Sequence, residues 1–168
     1  MDRLPNRVAR TTQIDGDGLV HRFEHGLEIR TDKPLAADPG RVLALGTPQA
    51  TLMNYMLSRP ERLADRLVFE PFAGSGAIGL TALRAGARRV ELLDINPRAV
   101  RFARENAERN GFRPEQVGCI EGSIESFVPW QPYDLIFANR KFGDGLRLSF
   151  AEDRQLALGR VFENFVPS

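Results

Sequence analysis

The sequence predicts an α/β fold: a parallel sheet with helices on both faces, preceded by a small N-terminal β-hairpin and a helix. Three observations carry this. Short apolar runs at Leu67-Val68-Phe69, Val90-Glu91-Leu92-Leu93, Val117 to Glu121 and Leu135-Ile136-Phe137-Ala138 alternate with segments of helical spacing. The first run ends in Glu70 and passes through Pro71-Phe72-Ala73-Gly74-Ser75-Gly76 into Ala77-Ile78-Gly79, which reads as strand tip, tight turn and helix start. The second run ends in another acid, Asp94, twenty residues past Gly74. Right-handed strand–helix–strand connections then give a sheet with its ligand along the carboxyl edge.

Taken in order, residues 1–16 are polar and read as a loose arm. Two short strands are expected from Leu19 to Glu24 and from Leu27 to Thr31, around a turn at His25-Gly26. Leu35 to Gly40 is a loop, and Thr47-Pro48 opens a helix running to Leu57. Gly76 to Ala85 is a helix of small apolar residues closed by Gly86. Asn96-Pro97 starts the next helix, with Ala99, Val100, Ala103 and Ala107 on one face, and Asn110-Gly111 ends it. Tyr133 to Ala138 is the fourth core strand, followed by one possible helix, Phe150 to Leu158, and one possible strand, Arg160 to Val166. The chain divides into an N-terminal arm and hairpin, 1–45, and a core domain, 46–168.

Composition narrows the function classes. The 168 residues carry a net charge of +1 and are 42% hydrophobic, with no window approaching a membrane span. The N-terminus lacks an apolar signal core, so a cytoplasmic location is expected. Cys119, the single cysteine, sits in an apolar run and is expected to be a buried thiol. His21 and His25 share a strand face, but two histidines make a poor metal site, so they are expected at the surface and no metal is expected.

The glycine-rich turn and the second acid suit a nucleoside cofactor. Glycines let a ligand lie against the main chain, a helix start offers unpaired N–H groups, and an acid at the second strand tip can accept both hydroxyls of a ribose. Gly74-x-Gly76-x-x-Gly79 followed by Asp94 fits a dinucleotide fingerprint, and a bare βα turn without ligand is the plainest alternative. Glu70 argues against a dinucleotide, since a carboxylate there repels pyrophosphate but favours the ammonium and sulfonium of S-adenosylmethionine.

Acid-Pro-Phe-Ala-Gly-Ser-Gly resembles the first motif of class I S-adenosylmethionine-dependent methyltransferases, and Asp134-Leu135-Ile136-Phe137-Ala138-Asn139 resembles the D-L-I-x-x-N-P-P-[FY] motif of their amino-methyltransferase group. The resemblance covers Gly46 to Asn139. It implies a Rossmann-like methyltransferase sheet, incomplete at its C-terminal end, and S-adenosyl-L-methionine as cofactor. It further implies methyl transfer to a nitrogen of a protein (a glutamine amide, as in release-factor enzymes) or of RNA (guanine or adenine), with no membrane partner. By the same resemblance, Glu70 faces the methionine ammonium. Phe72, Ala73, Gly74, Ser75 and Gly76 form the loop, Asp94 holds the ribose beside Ile95 and Asn96, and Ser123 lies near adenine. Asn139 positions the acceptor and Phe142 stacks on it. Arg140 and Lys141 stand where the motif has prolines, so the alternative is an impaired or inactive remnant that binds cofactor or a partner without turnover. A nicotinamide-dependent oxidoreductase is a third possibility, opposed by Glu70. A sheet ending at the fourth strand is expected to expose an edge.

Overall fold

The computed structural model describes residues 10–16, 18–33, 40–42, 45–142 and 145–151, with Arg10 and residues 140–151 as backbone only. Two sheets organise them. The first is antiparallel: β1 (Arg10–Asp15), β2 (Gly18–Phe23) and β3 (Glu28–Asp32), in that spatial order. β2 and β3 form the expected hairpin. β1 is a correction to the expected loose arm. Its run of Thr11-Thr12-Gln13-Ile14 is rich in β-branched residues, and pairing Thr12 with His21 and Ile14 with Leu19 satisfies its backbone. His21 is likewise not at the surface: it is buried, with its ring nitrogens 3.0 Å from the hydroxyls of Thr12 and Thr31. Two flanking strands supply partners that no local pattern reveals. His25 is half-buried against Phe23, and burial together with the Arg84 charge lowers its pKa.

The second sheet has the order β6–β5–β4–β7–β8, built from β4 (Leu67–Pro71), β5 (Arg89–Asp94), β6 (Val117–Glu121), β7 (Leu135–Phe142) and β8 (Gly145–Ala151). β6, β5, β4 and β7 are parallel neighbours, whereas β8 returns antiparallel to β7. The chain moves outward through β5 and β6 and then crosses back to place β7 beside β4. That reversal makes the gap between β4 and β7 the switch point, where open α/β sheets bind ligands.

The helices α1 (Thr47–Leu57), α3 (Ala77–Arg84) and α4 (Pro97–Arg109) cover one face, joined by the short α2 (Pro60–Leu63), which the sequence pattern did not predict. Their core contains Leu52, Met53, Met56, Ile78, Leu80 and Ala103 against Val68, Val90 and Leu92 of the sheet. Residues 77–83 are all buried because α3 lies between the sheet and α1. The cap of α1 falls one residue before the expected position. Gly46 is the N-cap, and its N–H donates to Gln49 Oε1 at 3.1 Å. On α4, Asn96 accepts from Arg98 N at 3.0 Å, Pro97 occupies the first turn, and Gly111 at φ +71° follows the Asn110 C-cap.

Among the described residues, the opposite sheet face is covered by the segment after β6. Ile124, Phe127 and Tyr133 pack there on Phe69, Leu93 and Ile136. The segment is pinned by Glu91, buried in the middle of β5, which accepts hydrogen bonds from Trp130 Nε1 (2.6 Å) and the Tyr133 hydroxyl. Burial and that contact hold the Tyr133 pKa far above its ordinary value. Cys119 on β6 is half-buried rather than buried, since β6 is a sheet edge, and burial still pushes its thiol pKa up.

The largest departure lies at the end of β7. The strand does not stop at Ala138 but runs to Phe142, and β8 pairs antiparallel with it, with Asn139 opposite Leu148 and Phe142 opposite Gly145. The edge expected after the fourth strand is therefore covered. Phe150 and Ala151, expected to begin a helix, end β8 instead. The rest of that helix and the strand from Arg160 to Val166 lie outside the described residues, as do residues 1–9 and 34–39.

Candidate functional site

The loop between β4 and α3 crosses the carboxyl edge with three left-handed residues, Phe72 (φ +63°), Gly74 (+54°) and Gly76 (+75°). A left-handed phenylalanine costs free energy and persists only where the surroundings hold it. Here two backbone bonds do so: Ala73 N donates to Leu93 O (2.9 Å), and Gly76 N to Ala73 O (2.8 Å).

The three glycines serve different purposes. Of the three, only Gly74 would carry a Cβ with no atom of the described residues within 4 Å, so its α-carbon faces the open side of the loop. A Cβ on Gly76 would lie 3.0 Å from Leu92 Cδ1 and 3.2 Å from Ala103 Cβ. One on Gly79 would lie 2.4 Å from Leu92 Cδ2. A side chain at Gly76 or Gly79 would thus collide with the core beneath the loop, whereas one at Gly74 would not.

Glu70 binds the protein itself. It is buried, and its Oε2 accepts from Gly79 N at 2.7 Å. It therefore satisfies an N–H of the first turn of α3 that has no partner within the helix. Burial raises its pKa well above the ordinary carboxylate value; the Gly79 bond opposes the shift and the nearby Asp94 charge adds to it.

Asp94 ties three loops together. Its Oδ2 accepts from Gly74 N (2.8 Å), its Oδ1 from Asn96 N (2.9 Å), and its own carbonyl from Gly122 N (3.0 Å). Each carboxylate oxygen keeps a further lone pair, so the acid can hold the protein and still accept from two hydroxyls. Beside it Ile95 stands 71% exposed, a large apolar side chain presented to solvent at the ligand edge. Asn96 caps α4 and donates to Gly40 O at 2.8 Å, bringing the segment before α1 against the same corner. Ser123 follows Gly122 and accepts from Glu125 N at 3.3 Å, which leaves its hydroxyl in a turn next to the Asp94 corner.

Asn139 lies across the switch point on β7. Phe69 pairs with Ile136, and continuing that register sets Asn139 level with Phe72 of the loop. Its Oδ1 is buried and has no hydrogen-bond partner among the described residues. A buried carbonyl without a donor costs on the order of 1–3 kcal/mol. Phe142 is three residues further along a continuous strand, roughly 10 Å away. The structure therefore brings Glu70, the 72–76 loop, Asp94, Ile95, Asn96, Ser123 and Asn139 to one edge and sets Phe142 apart from it.

One residue of this assembly escaped the sequence pattern. Asn106 of α4 is fully buried and donates to Ser75 O of the loop at 2.9 Å. The available signal was a polar residue on the apolar stripe of α4, three positions after Ala103.

A parallel sheet switched between β4 and β7, a glycine loop over the first helix and an acid at the second strand tip define a class I, Rossmann-like methyltransferase fold. A family model described as ribosomal protein L11 methyltransferase (PrmA) matches residues 28–140, and the chain belongs to that family. The ribosomal protein L11 methyltransferase of Thermus thermophilus is 36% identical over 120 residues, covering 71% of this chain and 43% of that protein. The chain thus spans less than half the length of this curated relative. Among solved structures, a putative S-adenosylmethionine-dependent methyltransferase from Streptococcus mutans superposes with a TM-score of 0.60 at 16% identity, over 74% of this chain and 32% of its own. The Trypanosoma brucei PRMT1 enzyme–prozyme complex with AdoHcy gives 0.50 at 26%, over 54% and 28%.

These relatives do not support the finer resemblance to the Asn-Pro-Pro group acting on release-factor glutamine or ribosomal RNA guanine. The family match ends at residue 140, one residue past Asn139 and inside β7. Among the described residues, no helix is long and apolar enough to cross a membrane.

Proposed function

We propose that this chain carries the cofactor-binding core of an S-adenosylmethionine-dependent methyltransferase that modifies an amino nitrogen of a ribosomal protein. The observation that carries the transfer step is the buried Asn139 Oδ1 at the switch point, without a hydrogen-bond partner among the described residues. An N–H of the acceptor would satisfy that carbonyl, and the bond would fix the direction of the nitrogen lone pair. Such catalysis is mainly positioning.

The cofactor fits the residues present. Gly74 has an open side, Ile95 offers an apolar surface for a planar base, and Asp94 has lone pairs left for ribose hydroxyls. When bound, S-adenosylmethionine supplies an electrophilic methyl group on sulfur. Asp94 orients the ribose, the 72–76 loop sets the depth of the methionine end, Ser123 lies toward the base, and Asn139 holds the acceptor. Glu70 acts from beneath, by fixing the start of α3. The family relationship favours a protein acceptor, such as a ribosomal protein amine, over the glutamine amide or an RNA amino group.

A second reading has its own observation. β7 continues as a regular strand through Arg140 and Lys141 into the β8 hairpin, where a catalytic motif would form a loop. On this reading the chain binds cofactor without turnover.

Calorimetric titration with S-adenosylmethionine, S-adenosylhomocysteine and NAD tests the cofactor, on wild type and on Asp94→Asn. Binding of the first two, weakened about 10–100-fold in the variant through loss of a charge-assisted bond, is the expected result. Binding of NAD alone, or of none by folded protein, overturns it. Radiolabelled methyl transfer to ribosomal protein L11, to a glutamine-containing release-factor fragment and to ribosomal RNA then identifies the acceptor. Cofactor binding with no labelled product in any of them gives the second reading.

A further inference from the structure

Helix α4 meets the N-terminal sheet through two asparagines one helical turn apart. Asn110 Oδ1 accepts from Glu28 N (2.8 Å), and Asn110 Nδ2 donates to Glu28 O (2.7 Å). Asn106 does the same with Arg30: Oδ1 accepts from its N–H (2.7 Å) and Nδ2 donates to its carbonyl (3.0 Å). The fit is geometric. Residues i and i+4 of a helix rise by about 6.0 Å, and residues two apart on a strand by about 6.6 Å. Glu28 and Arg30 lie two apart on β3 with their polar groups on the side away from β2, so the two side-chain amides act as a neighbouring strand.

The two anchors differ in one bond. The second Nδ2 hydrogen of Asn110 goes to its own helix, at Asn106 O (2.7 Å). The second Nδ2 hydrogen of Asn106 goes to Ser75 O in the glycine-rich loop (2.9 Å). Asn106 is fully buried, and its one acceptor oxygen and two donors are all engaged. Any withdrawal of β3 removes the partners that hold the Asn106 amide plane, and the same plane holds the loop carbonyl between Gly74 and Gly76.

We propose that Asn106 is a positioning residue for the glycine-rich loop, coupling the docking of the N-terminal sheet to the geometry of the cofactor site. The part of this that concerns cofactor affinity rests on the proposed function; the part that concerns the loop does not.

The test uses the full chain as wild type, Asn106→Leu and Asn110→Leu. Both substitutions keep the branched, four-heavy-atom side chain and remove its hydrogen bonds. Because Asn106 is buried and Asn110 half-buried, the larger leucine packs differently at the two sites, so the variants are compared at equal global stability, set by denaturant. Amide hydrogen exchange is read at Gly74 and Gly76, and S-adenosylhomocysteine is titrated in parallel. Loss of a buried bond is expected to speed exchange at these glycines, and to weaken the ligand, about tenfold in Asn106→Leu, while Asn110→Leu stays within about twofold. Equal effects in the two variants, or none in either, would overturn the proposal and leave both residues as docking anchors.

If Asn106→Leu does not fold, exchange in wild type at rising denaturant decides. Arg30 and Gly76 amides opening together support the coupling; Arg30 opening while Gly76 stays protected refutes it. Exchange changes as expected in a chain that binds no S-adenosylhomocysteine would sink the proposed function and leave the positioning role standing.

Discussion

Two segments flank the switch point, and they are finished to different degrees. In the loop after β4, Glu70 holds Gly79, Asp94 holds Gly74, and Asn106 holds the Ser75 carbonyl. Across the gap, Asn139 on β7 presents a buried carbonyl with no partner among the described residues. The first segment is organised before any ligand arrives. The second contains one unmet hydrogen bond, which a ligand would complete. On the proposed function, the contrast teaches that donor binding and acceptor alignment would sit on opposite strands of the switch point and could be damaged separately.

Asn139→Ala breaks the comparison on the acceptor side and carries the largest expected effect. Turnover should fall at least ~100-fold if acceptor alignment depends on that carbonyl, while S-adenosylhomocysteine affinity stays within about threefold of wild type. Stability should hold or rise slightly, because the substitution removes a buried acceptor that has no donor. Single-turnover labelling beside calorimetry separates the two. Affinity falling with turnover would place Asn139 in the cofactor site instead.

On the loop side, Gly79→Ala and Gly74→Ala should part company. At Gly79 the new methyl group meets Leu92 in the core, and overpacking of this kind costs about 1–3 kcal/mol. Thermal unfolding should drop by roughly 2–4 °C for each kcal/mol at this chain length. At Gly74 the methyl group meets no protein atom, so stability loses only the left-handed backbone cost of about 1–2 kcal/mol while ligand affinity falls. If Gly79→Ala weakened binding without unfolding the chain earlier, the division between core glycine and ligand glycine would fail.

Which features the sequence displayed follows from how far apart the interacting residues lie. Glu70, Gly74, Gly76 and Asp94 were legible because strand, turn and helix signals sit within a short window and the acids end apolar runs. Even so, the pattern pointed Glu70 at a ligand and made Gly76 a ligand contact. Only the fold shows that Glu70 accepts from Gly79 N and that a side chain on Gly76 would meet Leu92. Asn106 was illegible because Arg30 lies 76 residues away in sequence, and nothing local marks an asparagine as a strand substitute. His21 failed for the same reason, with its two threonines on neighbouring strands. At Asn139 the resemblance to a loop motif outweighed the strand-forming pattern that follows. The structure continues β7 through Phe142 because β8 returns to pair with it.

Glu70 sharpens the comparison through pH. Its pKa is raised in the folded protein, so folding takes up a proton between the ordinary carboxylate value, near 4.5, and the folded value. The stability that Glu70 contributes is therefore complete below the unfolded pKa and is lost as pH rises through the folded one. Glu70→Gln keeps an acceptor for Gly79 N and cannot ionise. Denaturant titrations of the two proteins should converge at acid pH and separate above pH ~4.5, with the glutamine variant gaining on wild type. Wild type gaining instead would mean that the helix end and the Gly79 bond outweigh burial at this carboxylate.

The smallest expected effect is at Ile95, which stands exposed at the corner that Asp94 builds. Truncation to Ala removes little from the core, since the side chain is 71% exposed, and unfolding should shift by less than about 0.5 kcal/mol. If the side chain forms the apolar surface against which a base lies, the same truncation should weaken S-adenosylhomocysteine severalfold. Burial of three methyl or methylene groups sets an upper limit of about 2 kcal/mol, and an open corner captures part of it. Comparing S-adenosylhomocysteine with a fragment that lacks the base makes the assignment specific: affinity for the fragment should be the same in both proteins. Equal loss for ligand and fragment would move Ile95 away from the base, and with it the orientation in which Asp94 meets the ribose and Ser123 the base.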